Sequence, residues 1–116
     1  MSTSAALAAK HCVPCRAGTP KLAGPELEAL AQQLPDWKVV DGHHIERAFK
    51  FPDFVTALAF VNRIGAVAES EGHHPDLTLG WGRVGVITYT HSIGGLSEGD
   101  FILAAKIDAL LDAAAA

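Results

Sequence analysis

Three histidines in the chain have side chains suited to moving protons near neutral pH. His73 and His74 are adjacent in the stretch EGHHPDL, and His91 ends the stretch RVGVITYTH. Because imidazole titrates closer to neutrality than any other side chain, the three could together supply one group that gives a proton and another that takes one. We therefore predict metal-free acid–base chemistry. The alternative is that His73 and His74 merely end a helix and meet solvent.

Other kinds of chemistry find less support. Neighbouring residues at a helix exit need not point the same way, and no further set of Asp, Glu or Cys ligands stands beside the pair, so a metal site is disfavoured. Ser70 and Ser92 lie near the histidines without a nucleophile-elbow motif around them. Cys12 and Cys15 form a lone C-x-x-C, which is half of a zinc site. We expect neither a metal nor another cofactor.

Composition and charge exclude several classes of protein. The chain has 116 residues, of which 49% are hydrophobic, and a formal net charge of −4 without a cluster of Lys and Arg. That balance argues against a nucleic-acid partner. No apolar run approaches the roughly 20 residues that a membrane span needs, and the N-terminus does not resemble a signal peptide. The sequence predicts one compact, soluble, cytoplasmic domain with no membrane or nucleic-acid partner.

The histidines must be positioned by helices and strands, and the hydrophobic pattern predicts these in the order α-β-β-α-β-β-α. Helices are predicted at about 25–34, 53–72 and 97–112, and strands at 37–41, 44–51, 77–81 and 83–91. Asp41-Gly42 indicates a hairpin, and Gly72 with Pro75 stops the central helix at the histidine pair. Short strands joined by turns and one helical crossover predict an α+β fold, a four-stranded antiparallel sheet with three helices packed on one face.

The predicted domain covers residues 22–112. A flexible N-terminal extension (1–21) precedes it, and a frayed alanine tail (113–116) follows it. The central helix carries an apolar stripe expected to face the sheet, formed by Phe54, Ala57, Leu58, Val61, Ile64, Gly65 and Ala68. In the last strand, Tyr89 and His91 are expected on the face away from the helices. His43 and His44, at the hairpin, are expected to be solvated.

The spacing of the candidate residues is similar to a known family signature. Glu69 is followed by His73-His74-Pro75, and then by Trp81, His91 and Asp100. The spacing of these positions resembles the signature of the pterin-4a-carbinolamine dehydratases, with no insertion or deletion between them. The stretches THSIGGLSEGD and LAAKID also resemble the ending typical of that family. The resemblance covers the chain from about 22 to 111. The chain departs from it at Ser92-Ile93, where relatives often carry an acidic residue.

The resemblance implies an enzyme that removes water from 4a-hydroxytetrahydropterin and releases quinonoid dihydropterin. This step serves the recycling of tetrahydrobiopterin for an aromatic amino acid hydroxylase, and it needs no metal or redox cofactor. His73 and His91 would form the acid–base pair, His74 would help to position the pterin, and Asp100 would lie at the edge of the site.

The other signature residues have alternative interpretations. Glu69, Pro75, Trp81 and Asp100 are expected to bind substrate on the resemblance. Trp81 could instead be a core or interface aromatic, and Asp100 could cap the last helix, since Ser97 stands at capping-box spacing from it. Glu69 could orient a histidine or simply face solvent.

The exposed edges of a four-stranded sheet, together with the resemblance, imply a homodimer or a homotetramer. Some members of the family act instead as protein-interaction modules. An alternative function is therefore that of a dimerisation cofactor of a transcription regulator.

Overall fold

The computed structural model describes the backbone of residues 4–13 and 18–115 and the side chains of 5–13 and 18–111. The strands are β1 (Lys38–Val40), β2 (His44–Lys50), β3 (Asp76–Gly80) and β4 (Arg83–Thr88). The helices are α1 (Ser4–Ala8), α2 (Gly24–Gln33), α3 (Phe54–Glu71) and α4 (Glu98–Ala115). The strands form an antiparallel sheet in the order β1-β2-β4-β3. The predicted α+β fold is confirmed, and the short helix α1 is an addition to it.

Asp41 and Gly42 form the turn of the β1–β2 hairpin, as predicted. Their φ angles are 53° and 64°, in the left-handed region that tight hairpin turns require and that Asp and Gly tolerate. The N–H of His43 donates to the carbonyl of Val40 at 2.9 Å and closes the turn. This geometry sets the register of β2, in which Ile45 is fully buried.

Helix α3 begins and ends where the sequence predicts. The carboxylate of Asp53 accepts the N–H of Thr56 at 2.8 Å and caps the first turn. At the other end Gly72 takes the left-handed conformation with a φ of 63°, and its N–H bonds back to the carbonyl of Ala68. A side chain would strain this conformation, so Gly72 ends the helix directly before His73.

The buried face of α3 follows the predicted apolar stripe only in part, since Ala57, Ile64 and Ala68 are buried as predicted. Phe60 is almost fully buried, with its ring centroid 5.0 Å from each of the rings of Phe49 and Phe51. Phe54 and Leu58, in contrast, stay 42% and 39% exposed. The prediction for these two residues is wrong because the helix turns to pack Phe60 on the phenylalanines at the end of β2, a contact that spacing within α3 does not show.

Helix α4 packs against the other helices and carries much of the core. Its residues 101–105 are all buried. Helix α1 lies against it within the segment predicted as a flexible extension. There Leu7 is buried, and Lys106 Nζ donates to the carbonyl of Ala8 at 2.7 Å. Part of the N-terminal segment therefore packs on the domain.

The lengths of the helices bear on the predicted end of the last helix and on the expected absence of a membrane span. Helix α4 continues to Ala115, past the end predicted near Asp112. Ala116, the last residue of the alanine tail, lies outside the described part of the chain. Within the described ranges no helix is both long and apolar enough to cross a membrane.

Candidate active site

The three candidate histidines line one cavity. It has a volume of about 260 Å³, and its walls are formed by Gly72, His73, His74, Tyr89, Thr90, His91 and Ser92. The adjacent pair reaches the cavity from the turn between α3 and β3, and His91 reaches it from the segment after β4. The pairing of β3 with β4 brings these segments together, because Asp76 at the start of β3 lies opposite Ile87 near the end of β4.

Asp100 lies beneath the cavity as a fully buried carboxylate in the first turn of α4. Its Oδ1 accepts from the Thr88 hydroxyl at 2.8 Å and lies 2.6 Å from Nε2 of His73. Its Oδ2 accepts from the Thr90 hydroxyl at 2.8 Å and from the N–H of Ser97 at 2.9 Å. The bond to Ser97 is the predicted capping contact. Asp100 thus caps α4 and holds His73 with the same carboxylate.

The donors around Asp100 assign the tautomer of His73. The single hydroxyl proton of Thr90 goes to Asp100, so Ser97 Oγ donates the 2.6 Å bond between the two hydroxyls. The hydroxyls and the backbone N–H around Asp100 are therefore all donors. Nε2 of His73 likewise carries a proton and donates it to the carboxylate of Asp100. Nδ1 of His73 has no hydrogen-bond partner among the described residues, and its edge of the ring lies beside Gly99.

His74 is held differently, at the exposed rim of the cavity. Its Nε2 lies 2.8 Å from a carboxylate oxygen of Glu69, in the last turns of α3. The two side chains are 60% and 81% exposed, so solvent screens this pair. Of the two roles predicted for Glu69, the geometry fits that of orienting a histidine.

The sequence predicts His91 at the end of a strand, but in the structure it lies outside β4. Strand β4 ends at Thr88, and Thr90 makes an isolated bridge with Gly95. A 3₁₀ turn spans His91–Ile93, and Gly94 caps it. The expectation that His91 continues the outward face of the last strand is therefore wrong. The chain must turn back here to reach α4, and Gly94, with a φ of 61°, permits the tight reversal.

Pro75 and Trp81 lie outside the lining of the histidine cavity. Pro75 follows His74 and leads the chain into β3. Trp81 lies at the turn beyond the far end of β3 and is 75% exposed. The length of β3, about 3.3 Å for each residue, separates Trp81 from the histidine pair.

The sequence did not predict the hydrogen bonds that tie the N-terminal segment to the chain near His73. Glu71, whose side chain is only 8% exposed, accepts from the N–H of Cys12 at 2.8 Å and lies 3.0 Å from Nδ1 of His11. The Cys12 backbone N–H, and then His11, lower the pKa of Glu71. Cys12 Sγ donates to the carbonyl of Gly99 at 3.4 Å. The segment thus ties the end of α3 to the start of α4.

Burial, and then the charge of Glu71, raise the pKa of Cys12 to about 11. Cys12 is therefore a protonated thiol at neutral pH, whereas metal binding and redox chemistry use the thiolate. Its predicted C-x-x-C partner, Cys15, lies outside the described residues. Within residues 4–13 and 18–115, no group of three or more His, Cys, Asp or Glu side chains is placed to hold a metal ion.

A larger cleft of about 480 Å³ lies on the open face of the sheet, where β2, β3 and β4 present Ala48, Thr78 and Gly85. No histidine lines it. The smaller cavity, which gathers the proton-transfer groups, is therefore the candidate active site.

The chain is similar to several known proteins. The sequence model of the family described as "Pterin 4 alpha carbinolamine dehydratase" matches residues 20–110. A protein of Rubrobacter xylanophilus is 57% identical over 90% of this chain and 97% of its own length. One of Alkaliphilus metalliredigens is 52% identical over 88% of this chain and 93% of its own. Both are named "putative pterin-4-alpha-carbinolamine dehydratase".

Two solved structures share the fold. A protein of Brucella melitensis described as a transcriptional coactivator/pterin dehydratase is 37% identical, covers 78% of this chain and 98% of its own, and superposes with a TM-score of 0.74. A pterin dehydratase-like protein described as a RuBisCO assembly factor in the alpha-carboxysome is 25% identical, covers 65% of this chain and 88% of its own, and has a TM-score of 0.57. The descriptions include roles other than dehydration.

Proposed function

Because the chain belongs to the pterin-4-alpha-carbinolamine dehydratase family, we propose that it dehydrates a 4a-hydroxytetrahydropterin to the quinonoid dihydropterin. The family match over residues 20–110 supports the further proposal that residues 22–112 form the catalytic domain. The reaction would recycle a tetrahydropterin, such as tetrahydrobiopterin, for an aromatic amino acid hydroxylase.

The reaction needs two proton transfers and no change of oxidation state. A base removes the proton on N5 of the pterin, and the C4a–O bond breaks as an acid protonates the departing hydroxyl. The electron pair from N5 forms the C4a=N5 double bond, and water leaves. Two imidazoles on one cavity can supply both transfers and exchange protons with solvent between turnovers.

The observation that carries the proposal is the convergence of His73, His74 and His91 on one cavity. We assign His73 and His91 as the acid–base pair. Asp100 holds the ring of His73 through Nε2, and we assign Nδ1 to the reacting atoms. His74, with Glu69, positions the pterin at the rim. Either member of the acid–base pair could take the N5 proton.

The first prediction is that the purified protein turns over a 4a-hydroxytetrahydropterin after treatment with a chelator. No step of the mechanism uses a metal, so we expect unchanged kcat when protein dialysed against EDTA is compared with an undialysed sample. The measurement is the appearance of quinonoid dihydropterin above the spontaneous rate. Activity that disappears on dialysis and returns only with added zinc would refute the metal-free mechanism.

A protein-interaction role is the alternative, supported by the description of the Brucella melitensis structure as a coactivator and of the carboxysome protein as an assembly factor. The two functions need different parts of the molecule. Turnover requires the histidine cavity, whereas a docking role requires exposed helix or strand surfaces. Turnover by the purified protein therefore separates them.

The second prediction is that the protein forms a homodimer or homotetramer through one face of α3 and β3, which we call the α3–β3 face. Exposed apolar side chains mark it: Phe54, Val55, Leu58, Leu79 and Trp81. Strand β3 is also an edge strand with unpaired backbone groups. A second copy would satisfy this edge and cover the apolar side chains together. This assignment gives Trp81 the role of an interface aromatic.

Light scattering during size-exclusion chromatography at micromolar concentration measures the assembly. We expect Val55→Asp to shift the mass toward the monomer, because Val55 is 74% exposed and a charge there would be buried on association. The control Ala48→Asp, on the open face of the sheet, should leave the mass unchanged. A wild-type peak at 12.2 kDa would contradict the prediction.

A further inference from the structure

We propose that Tyr89 is a positioning residue for His91, and that it acts by stacking its ring on the imidazole. The inference rests on the proposed function in assigning His91 a catalytic role, and it adds a residue that the family signature does not include. The Tyr89 and His91 ring centroids lie 4.3 Å apart, with an interplanar angle of 31°. Both residues line the histidine cavity.

The need for such a residue follows from how the other two histidines are held. His73 and His74 each bond to a carboxylate, at 2.6 and 2.8 Å. Among the described residues His91 has no carboxylate partner, and it stands in an exposed 3₁₀ turn rather than in a strand. A ring in that position would rotate freely unless another group limited it. The ring of Tyr89 does so and leaves both nitrogens of His91 available to a substrate.

Tyr89 is itself in contact with a second ring. The ring of His43 lies 4.5 Å from the ring of Tyr89 at an interplanar angle of 40°. His43 Nδ1 lies 3.0 Å from Nδ1 of His44, the first residue of β2. The β1–β2 hairpin thus supports a row of rings that runs from His44 through His43 and Tyr89 to His91. His43, expected from the sequence to be merely solvated, gains a supporting role in this row.

The contact depends on the aromatic ring of Tyr89 and not on its hydroxyl. Aromatic pairs of this kind favour the stacked arrangement by roughly 2- to 10-fold beyond what burial of their surface gives. Loss of the ring should therefore lower the fraction of time that His91 spends in its productive orientation by about that factor. A phenylalanine retains the ring and should restore the orientation.

The test compares Tyr89→Leu, Tyr89→Phe and His43→Ala in the full-length protein by NMR and by kinetics. In wild type and in Tyr89→Phe, the Cε1 and Cδ2 protons of His91 should be shifted upfield by the neighbouring ring current, with His91→Ala identifying the signals. In Tyr89→Leu the shift should disappear. In the same variant kcat should fall by about 2- to 10-fold, while Tyr89→Phe keeps it within about 2-fold of wild type and His43→Ala gives a smaller loss than Tyr89→Leu.

The two readouts separate this inference from the proposed function. If the His91 signals do not move in Tyr89→Leu, the stacking is absent and the inference is wrong whatever the kinetics show. If the signals move and kcat does not fall in an active enzyme, Tyr89 does not position His91 for catalysis. If the wild type shows no turnover, the proposed function fails, and with it the catalytic part of the inference, whereas the NMR signals still decide whether the ring orients His91.

Discussion

His73→Ala and His91→Ala are each expected to lower kcat by about 10²- to 10⁴-fold, the usual contribution of a positioned acid or base. His74→Ala should instead mainly raise KM, by about 2- to 10-fold, the cost of a lost hydrogen bond. The expected difference between His73 and His74 follows from their surroundings. The side chain of His73 is 13% exposed and lies against a buried carboxylate, whereas His74 is 60% exposed and pairs with an exposed one.

Steady-state kinetics of the three variants with one 4a-hydroxytetrahydropterin measure this division of roles. The spontaneous dehydration rate must be subtracted, because it sets the lowest rate that the assay can resolve. Near-equal losses of kcat in all three variants would show that His74 takes part in proton transfer. A normal kcat in His73→Ala would remove that residue from the mechanism.

The second large effect is expected at Asp100, where the conservative change Asp100→Asn should lower kcat by about 10²-fold or more. All the groups around this carboxylate are donors, so the amide NH₂ of asparagine must point at one of them. The Ser97 backbone N–H beside Oδ2 cannot accept, so the NH₂ takes the position of Oδ1. There His73 can accept from the amide only through a deprotonated Nε2. Its proton then moves to Nδ1, the nitrogen that we assign to the substrate. A base of the wrong tautomer is a far weaker catalyst.

The same change should also lower the free energy of unfolding, by about 1–3 kcal/mol, because it leaves a buried donor without an acceptor. Asp108→Asn is the matched control. Asp108 lies further along α4, where it accepts from Trp37 Nε1 at 3.0 Å and from Arg47 at 2.8 Å. Burial raises the pKa of Asp108 in spite of these donors. This control should cost stability without a fall in kcat.

Thermal or urea unfolding measures stability, and the dehydration assay measures kcat for both variants. A loss of activity in Asp108→Asn equal to that in Asp100→Asn would mean that unfolding, and not the tautomer of His73, limits the rate. Full activity in a folded Asp100→Asn protein would refute the tautomer argument.

Much of the fold could be predicted because local signals decide it. Asp53, Gly72 and Asp41-Gly42 act on the backbone within a few residues of themselves, and each lies at the boundary that it predicts. The seven predicted elements, three helices and four strands, appear in the predicted order for this reason. The end of β4 was missed because an isolated bridge between Thr90 and Gly95 depends on how the chain returns to α4.

For the candidate site, too, the sequence predicted some features and not others. The spacing of the histidines and Asp100 in the sequence was enough to nominate them as candidates, through their similarity to a family signature. The contacts that these residues make could not be predicted from the sequence. The bond between Asp100 and His73 requires α4 to pack beside the end of α3. Tyr89 stacks on His91, and Glu71 accepts a hydrogen bond from Cys12. Neither contact follows from the periodicity of a helix or a strand. Only the packed structure reveals these contacts.

We propose that this chain catalyses dehydration of a 4a-hydroxytetrahydropterin through its histidine cavity. The most direct measurement is the initial rate of quinonoid dihydropterin formation with purified wild-type protein, beside a folded His73→Ala, His91→Ala double variant at the same concentration. We predict a wild-type rate proportional to protein concentration and a double-variant rate indistinguishable from the spontaneous reaction. Wild-type protein that adds nothing to the spontaneous rate, or a double variant as active as wild type, would contradict the claim.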